Sequence, residues 1–160
     1  MSMVITVGMA DLKMAKSPDL LLTVGLGSCI GICIHDPLLK VGGMAHIMLP
    51  TAGGSKGGNP LKCADTALEL LLKQIAYMGA DKSRLRAKIA GGAQMFSFPG
   101  KTPLLNVGER NAEAVKQELQ KHGIPLLIAD TGGKYGRTIY FDVGTGNLRI
   151  RTINHGEKVV

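Results

Sequence analysis

The chain has 160 residues, enough for one domain with a substantial core, and its 45% hydrophobic and 19% charged content is ordinary for an α/β protein. Its three cysteines have no paired spacing, which argues against a disulfide-stapled secreted domain, and no apolar run approaches the ~18 residues of a membrane span. The formal charge of +7 is dispersed without interleaved aromatic rings, which disfavours nucleic-acid binding and suits an acidic protein partner. We therefore expect a cytoplasmic, single-domain protein over residues 1–160, with no signal peptide and no membrane insertion.

Alternating apolar residues predict strands throughout the first third of the chain. These strands cover residues 3–7, 20–24, 29–35 and 41–49, with a short strand at 12–15 inside the connection that precedes residue 20. In the strand 29–35, isoleucines occupy one face, whereas Cys29, Gly31, Cys33 and His35 occupy the other.

The dipeptide Asp36-Pro37 predicts a hairpin turn between the strands 29–35 and 41–49. A four-residue loop over 36–39 pairs His35 with Lys40, and counting outward then places Cys29 directly opposite His46. Directly opposite residues share a sheet face, with Cβ atoms roughly 4.5–5.5 Å apart. The predicted hairpin therefore brings a thiol beside an imidazole.

The rest of the chain alternates helices with strands. Residues 50–60 form a glycine-rich loop that lacks the Gly-Lys-Ser/Thr ending of a phosphate-binding P-loop, which disfavours a phosphate-binding domain. Asn59 as N-cap and Gly79 as C-cap bound a helix at 60–78. A strand at 85–90, an irregular stretch at 97–107, a helix at 108–122 and a strand at 125–129 indicate a parallel βαβ unit. A hairpin at 137–143 and 148–153 follows, and we expect a mobile tail from about residue 154.

The turn Thr23-Val24-Gly25-Leu26-Gly27-Ser28-Cys29 is the candidate catalytic element. From this pattern alone, a buried structural cysteine and a nucleophile fit Cys29 equally well. His46 is the candidate base, because an imidazole stabilises a neighbouring thiolate by accepting its proton. Thr23 is a candidate support for the ring, and the turn residues Gly27 and Ser28 place the N–H groups of Ser28 and Cys29 as candidate oxyanion donors.

The remaining candidates have structural explanations. Cys33 and Cys63 lack a glycine turn, and we expect both to be core residues. The four scattered histidines and three cysteines have no zinc-ligand spacing, so we predict no metal site and no cofactor.

Five motifs in chain order closely resemble those of the CheD family of chemoreceptor glutamine deamidases. They are Thr23-x-Gly25-Leu26-Gly27-Ser28-Cys29, Gly43-Met44-Ala45-His46-x-Met48-Leu49-Pro50, Gly91-Gly92-Ala93-x-Met95-Phe96, Gly108-Glu109-Arg110-Asn111 and Gly132-Gly133-Lys134-x-Gly136-Arg137. The resemblance implies that Cys29 is the nucleophile, His46 the general base and Thr23 the third catalytic residue. It implies a layered α/β sandwich of mixed β-sheet with two main helices, similar to the deamidating domain of cytotoxic necrotizing toxins.

The resemblance also implies the reaction and its partners. The expected reaction is hydrolysis of glutamine side chains on the cytoplasmic helices of methyl-accepting chemotaxis receptors, giving glutamate and ammonia. Some family members bind CheC, a phosphatase of phosphorylated CheY. The alternative interpretation is therefore a regulatory module for a CheC-type partner with little catalysis of its own.

Overall fold

The computed structural model describes residues 2–52, 58–95 and 106–160, and all structural statements below concern these residues. They form ten strands and two α-helices. The strands are β1 (Val4–Thr6), β2 (Asp11–Lys16), β3 (Leu20–Leu26), β4 (Ile30–Asp36), β5 (Val41–Ile47), β6 (Arg86–Gly91), β7 (Leu126–Thr131), β8 (Arg137–Asp142), β9 (Leu148–Arg151) and β10 (Glu157–Val159). The helices are α1 (Ala64–Tyr77) and α2 (Val107–Lys121), with short 3₁₀ turns at Pro60–Lys62 and Lys82–Arg84.

The strands form two mixed five-stranded sheets, in the orders β1-β3-β8-β9-β10 and β2-β5-β4-β6-β7. Strands β1 and β3 are parallel, as are β6 and β7, and the other pairs are antiparallel. The chain passes from β6 to β7 through α2, which confirms the predicted parallel βαβ unit. The architecture is the expected layered α/β arrangement of mixed sheets with two main helices.

The two faces of β4 divide the interior into two cores. Ile30, Ile32 and Ile34 pack in a cluster with apolar residues of α1 and α2. Cys29 and Cys33 belong to a second cluster with residues of β3, β8 and β9, between the sheets. This division follows the period of two of a strand, which places the isoleucines of β4 on one face and Cys33 on the other. The candidate nucleophile therefore lies in the layer between the sheets.

The predicted hairpin register is wrong by two residues. His35 pairs with Gly42, and His46 lies opposite Gly31, not Cys29. The loop therefore runs over residues 37–40, and the strand β4 continues through Asp36. Because side chains alternate with a period of two, this shift leaves Cys29 on the same face as His46 but diagonal to it.

Hydrogen bonds of Asp36 explain the register. Its carboxylate accepts from the N–H groups of Leu38 and Leu39, and its carbonyl accepts from Lys40 N–H at 2.8 Å. Arg84 donates to the same carboxylate through Nε and Nη2, the latter at 2.8 Å. These bonds fix Asp36 as the last residue of β4, since the loop folds around its side chain.

The prediction of a mobile tail from about residue 154 is wrong, because this segment contains a paired strand. Residues Glu157–Val159 form β10, which pairs antiparallel with β9. Val160 exchanges two backbone hydrogen bonds with Leu148 and accepts one from Lys88 Nζ at 2.8 Å. The tail therefore completes the edge of the first sheet, because its backbone groups are satisfied by β9.

The other predicted elements agree in place and differ at their ends. The short strand predicted at 12–15 is the full edge strand β2, and Asn59 caps the 3₁₀ turn Pro60–Lys62 through a bond from Leu61 N–H. Much of the predicted loop 50–60 and nearly all of the irregular stretch 97–107 lie outside the described residues. None of the described helices is long and apolar enough to span a membrane.

Candidate active site

The candidate nucleophile follows an irregular end of β3. The pairing of β3 with β8 shifts register between Thr23 and Leu26, where Gly25 has a φ of 73°. Gly27 N–H then bonds to Gly25 C=O at 3.0 Å, which turns the chain away from β8. Glycine is favoured at position 25 because a positive φ is strained for residues with a Cβ.

Three successive carbonyls of the turn are tied to more distant segments. The Gly27 carbonyl accepts from Ala93 N–H at 2.8 Å and the Cys29 carbonyl from Gly92 N–H at 2.9 Å. The Ser28 carbonyl accepts from Asn111 Nδ2 at 2.9 Å. Neither the Ser28 N–H nor the Cys29 N–H donates a hydrogen bond to a backbone carbonyl of another described residue. Long-range hydrogen bonds therefore hold all three carbonyls and with them the orientation of the peptide units of the turn.

Close backbone packing maintains this turn. A Cβ at Gly91 would lie 2.1 Å from the Cys29 carbonyl oxygen, and Gly91 has a φ of 121°. The Gly91 carbonyl in turn accepts from Gly132 N–H and from Arg137 Nη1, while Arg137 Nε donates to Asp130 at 2.9 Å. Only glycine allows β6 to approach the turn this closely.

His46 lies on β5 with one ring nitrogen held and the other without a partner. Its Nδ1 is 2.7 Å from Thr23 Oγ1, and the Thr23 hydroxyl donates to the Val7 carbonyl, also at 2.7 Å. A hydroxyl has one proton to donate, so Thr23 must accept from His46 Nδ1–H. The neutral ring therefore carries its basic lone pair on Nε2, which has no hydrogen-bond partner among the described residues.

Burial shifts the pKa values of both candidate groups in the direction that favours their neutral forms. Burial raises the pKa of the Cys29 thiol above its ordinary value, and burial lowers the pKa of His46 below its ordinary value. Both effects have one cause, since a low-dielectric interior disfavours the charged form of either group. Burial therefore disfavours a thiolate–imidazolium pair in the free protein.

The structure brings together Thr23 and His46 through a hydrogen bond, and it places Cys29, Gly27 and Ser28 in one turn. Cys29 and His46 share the inner sheet face without a hydrogen bond between them. Their diagonal relation corresponds to a separation of roughly 7–8 Å in a regular sheet. Catalytic contacts of free enzymes are often long and shorten when substrate binds.

The turn that carries Cys29 is partly exposed among the described residues. Cys29 itself is 7% exposed, but Gly27 and Ser28 are half-buried and the nearby Met95 is 46% exposed. A Cβ at Gly27 would lie 3.2 Å from Met95 Cγ, so this side chain covers the turn from solvent.

The other two cysteines have no comparable surroundings. Cys33 is fully buried between the sheets, and burial strongly raises its pKa. Cys63 precedes α1, instead of lying inside a helix as predicted, and forms an isolated bridge with Leu49. Among the residues that the structure describes, no group of three or more His, Cys, Asp or Glu side chains lies close enough to hold a metal ion.

Sequence reasoning missed the anchors of the turn. Asn111, Gly91 and Arg137 lie within the family motifs, but no local sequence pattern assigns them a role. One sequence signal for Asn111 is available: it is a polar residue on the apolar face of an amphipathic helix, beside Ala112, Val115 and Leu119.

The chain is similar along its whole length to proteins of one family. It is 70% identical over 160 residues to a protein from Desulfitobacterium hafniense named probable chemoreceptor glutamine deamidase CheD, covering 100% of both chains. It is 55% identical over 161 residues to the protein of that name from Syntrophomonas wolfei, again covering 100% of both. A solved structure of the hypothetical protein YfiH from Bacillus licheniformis aligns with a TM-score of 0.46 and 16% identity, covering 72% of this chain and 48% of that one.

The family model described as CheD chemotactic sensory transduction matches residues 48–152. This range includes the anchors of the turn and leaves out Thr23, Cys29 and His46, which the full-length similarity covers. The chain therefore belongs to the CheD family of chemotactic sensory transduction proteins.

Proposed function

We propose that the protein is a cytoplasmic glutamine deamidase of chemoreceptors, in which Cys29 is the nucleophile, His46 the general base and Thr23 the residue that orients the base. The names of the full-length relatives support deamidation in chemotaxis. One observation supports the residue assignment: Thr23 fixes His46 on the same sheet face as Cys29, and the basic Nε2 of His46 has no hydrogen-bond partner in the described part of the chain.

The first half of the reaction forms a thioester. His46 Nε2 accepts the Cys29 thiol proton as sulfur bonds to the amide carbon of the glutamine side chain. The N–H groups of Ser28 and Cys29 stabilise the negative charge that develops on the amide oxygen. The imidazolium then gives its proton to the amide nitrogen, the C–N bond breaks, and ammonia leaves.

The second half restores the enzyme. His46 accepts a proton from water as the water oxygen attacks the thioester carbon, and the C–S bond breaks. The Cys29 thiolate takes the proton back from the His46 imidazolium. The net reaction is glutamine plus water giving glutamate plus ammonia. Thr23 holds the ring without contributing a charge, so it stabilises the imidazolium less than an aspartate would.

The charge of the protein suits the proposed substrate. A formal charge of +7 attracts an acidic helical surface and raises the rate of encounter. We expect the rate constant for the receptor fragment to fall as salt is raised from low to physiological ionic strength, since the Debye length falls to about 8 Å. A rate that does not depend on salt concentration would contradict electrostatic steering, but it would not contradict the proposed reaction mechanism.

The deciding experiment measures ammonia released from a purified receptor cytoplasmic fragment that contains glutamines. Cys29→Ala should abolish release, whereas Cys63→Ala, which alters an equally buried free cysteine, should retain it. Peptide mass spectrometry then identifies the converted glutamine. Release that survives Cys29→Ala would exclude this nucleophile, and absence of release in a protein that binds a CheC-type phosphatase would favour the regulatory alternative.

A further inference from the structure

Asn111 connects α2 to both segments that carry the candidate catalytic pair. Its side chain is fully buried, and Nδ2 donates to the Ser28 carbonyl and to the Met48 carbonyl, each at 2.9 Å. Ser28 immediately precedes Cys29, and Met48 lies two residues beyond His46. One amide group therefore joins the nucleophile's turn to the end of the strand that bears the base.

The orientation of this amide is unambiguous. Both partners are carbonyl oxygens, which accept only, so the atom between them must be the NH₂ group with its two protons. Asn111 Oδ1 is buried and has no hydrogen-bond partner within the described residues. The amide thus presents both of its N–H donors to backbone carbonyls, which a purely apolar packing position would not require.

The bond to Ser28 sets the direction of a second group. The Ser28 carbonyl and the Cys29 N–H belong to one peptide unit, which is planar and trans, so they point in opposite directions. Drawing the carbonyl toward α2 directs the Cys29 N–H away from α2. The same geometry relates the Gly27 carbonyl, held by Ala93 N–H, to the Ser28 N–H.

We propose that Asn111 is a positioning residue that aims the Cys29 N–H at the oxygen of the tetrahedral intermediate. This inference rests on the proposed function, because it assigns Asn111 to the oxyanion site of that reaction. Asn111 touches neither substrate nor the reacting sulfur; it acts through the Ser28–Cys29 peptide. Its second bond, to Met48, holds that peptide in register with the strand of His46.

The test compares a reaction that develops an oxyanion with one that does not. Deamidation needs the N–H donor, whereas alkylation of Cys29 by iodoacetamide displaces iodide at a saturated carbon and needs only the sulfur and its base. The variants are Asn111→Asp, which keeps the size but cannot donate two protons, and Asn111→Ala. The control is Asn106→Ala, which removes the side-chain bond to Glu109 N–H at the start of the same helix.

We expect Asn111→Asp and Asn111→Ala to lower kcat for the receptor fragment by about 10²-fold, the loss typical of a misaimed or missing oxyanion donor. KM and the alkylation rate of Cys29, located by peptide mass spectrometry, should stay within about threefold of the unmodified protein. Asn106→Ala should leave kcat within the same range.

Retention of kcat by a folded Asn111 variant would overturn the assignment, as would a parallel fall in kcat and alkylation rate. If neither variant folds, Asn111→Ser is used instead, because it keeps one hydrogen-bond donor. If all three variants fail to fold, Asn111 has a structural role and the positioning proposal is refuted. Cys29→Ala separates the two hypotheses. Release lost with Cys29→Ala but kept by the Asn111 variants would refute only the positioning role, whereas release kept by Cys29→Ala would refute the proposed function as well.

Discussion

The hydroxyl of Thr23 is the feature of the site whose removal gives the most informative result. Thr23→Val preserves the shape of the side chain and removes the one group that bonds both His46 Nδ1 and the Val7 carbonyl, at 2.7 Å each. Thr23→Ser is the matched control, because it keeps the hydroxyl and deletes only a methyl group. Thr23 and His46 are both fully buried, so water cannot replace the lost hydroxyl without rearrangement of the surrounding residues.

The expected loss has a catalytic and a structural part. Without its acceptor, Nδ1–H no longer fixes the tautomer that leaves Nε2 basic, and general-base catalysis contributes typically about 10²–10⁴-fold. We expect Thr23→Val to lower kcat by about 10–100-fold, because the ring stays in its place on β5 and loses orientation only. Two buried polar groups lose their partner, so the free energy of unfolding should fall by about 2–4 kcal/mol.

The assay measures kcat and KM for ammonia release from the receptor fragment, together with urea unfolding of each variant. Thr23→Ser should keep kcat within about threefold of the unmodified protein and lose about 1 kcal/mol of stability from the missing methyl group. A Thr23→Val protein with unchanged kcat would refute the orienting role of the hydroxyl. Equal losses for the two variants would attribute the effect to packing instead.

Three further outcomes follow from the structure. Because burial raises the pKa of Cys29, its alkylation by iodoacetamide should accelerate with pH up to a midpoint above the ordinary 9.0, and a plateau at acidic pH would indicate an ion pair instead. Arg84 and backbone N–H groups lower the pKa of the buried Asp36, so its charge stabilises the fold above the unfolded pKa near ~4 and this stability is lost as pH falls. Asp36→Asn should therefore lower the free energy of unfolding in urea at pH 7 by about 1–3 kcal/mol, a range kept small because Arg84 is partly exposed to solvent. This loss should become smaller below about pH 4, and a loss that stays constant with pH would contradict the link between the charge of Asp36 and stability. Gly91→Ala places a Cβ 2.1 Å from the Cys29 carbonyl oxygen and should abolish release and lower Tm more than Gly123→Ala, which meets positive φ but open space; equal effects would attribute the loss to φ alone.

Local signals were sufficient to predict where the main elements lie. Gly79, with a φ of 91°, follows the end of α1 as predicted, whereas Asn59 caps the 3₁₀ turn Pro60–Lys62 and α1 itself begins only at Ala64. The strand–helix–strand order around α2 predicted the parallel pairing of β6 and β7, since a crossover of that length permits it. These predictions needed no information about the rest of the molecule.

The hairpin register depended on a distant residue. The loop after β4 folds around the carboxylate of Asp36, and that carboxylate is held by Arg84, which lies 48 residues further along the chain. A count of loop residues cannot include this contact, so the prediction stopped β4 one residue early. The face of Cys29 was still predicted correctly, because an error of two residues preserves the alternation of a strand.

The geometry of the catalytic turn depends on long-range contacts to an even greater extent. Its side chains were recognisable as a motif, but the directions of its peptide units are set by Gly92, Ala93 and Asn111, the last of which is 83 residues from Ser28. A glycine-rich sequence permits many turn conformations, and it encodes no preference for the one in which three carbonyls point inward. The proposed oxyanion site therefore depends on the packed β6 and α2 segments as much as on the turn, and substitutions there should affect kcat without altering a residue that substrate touches.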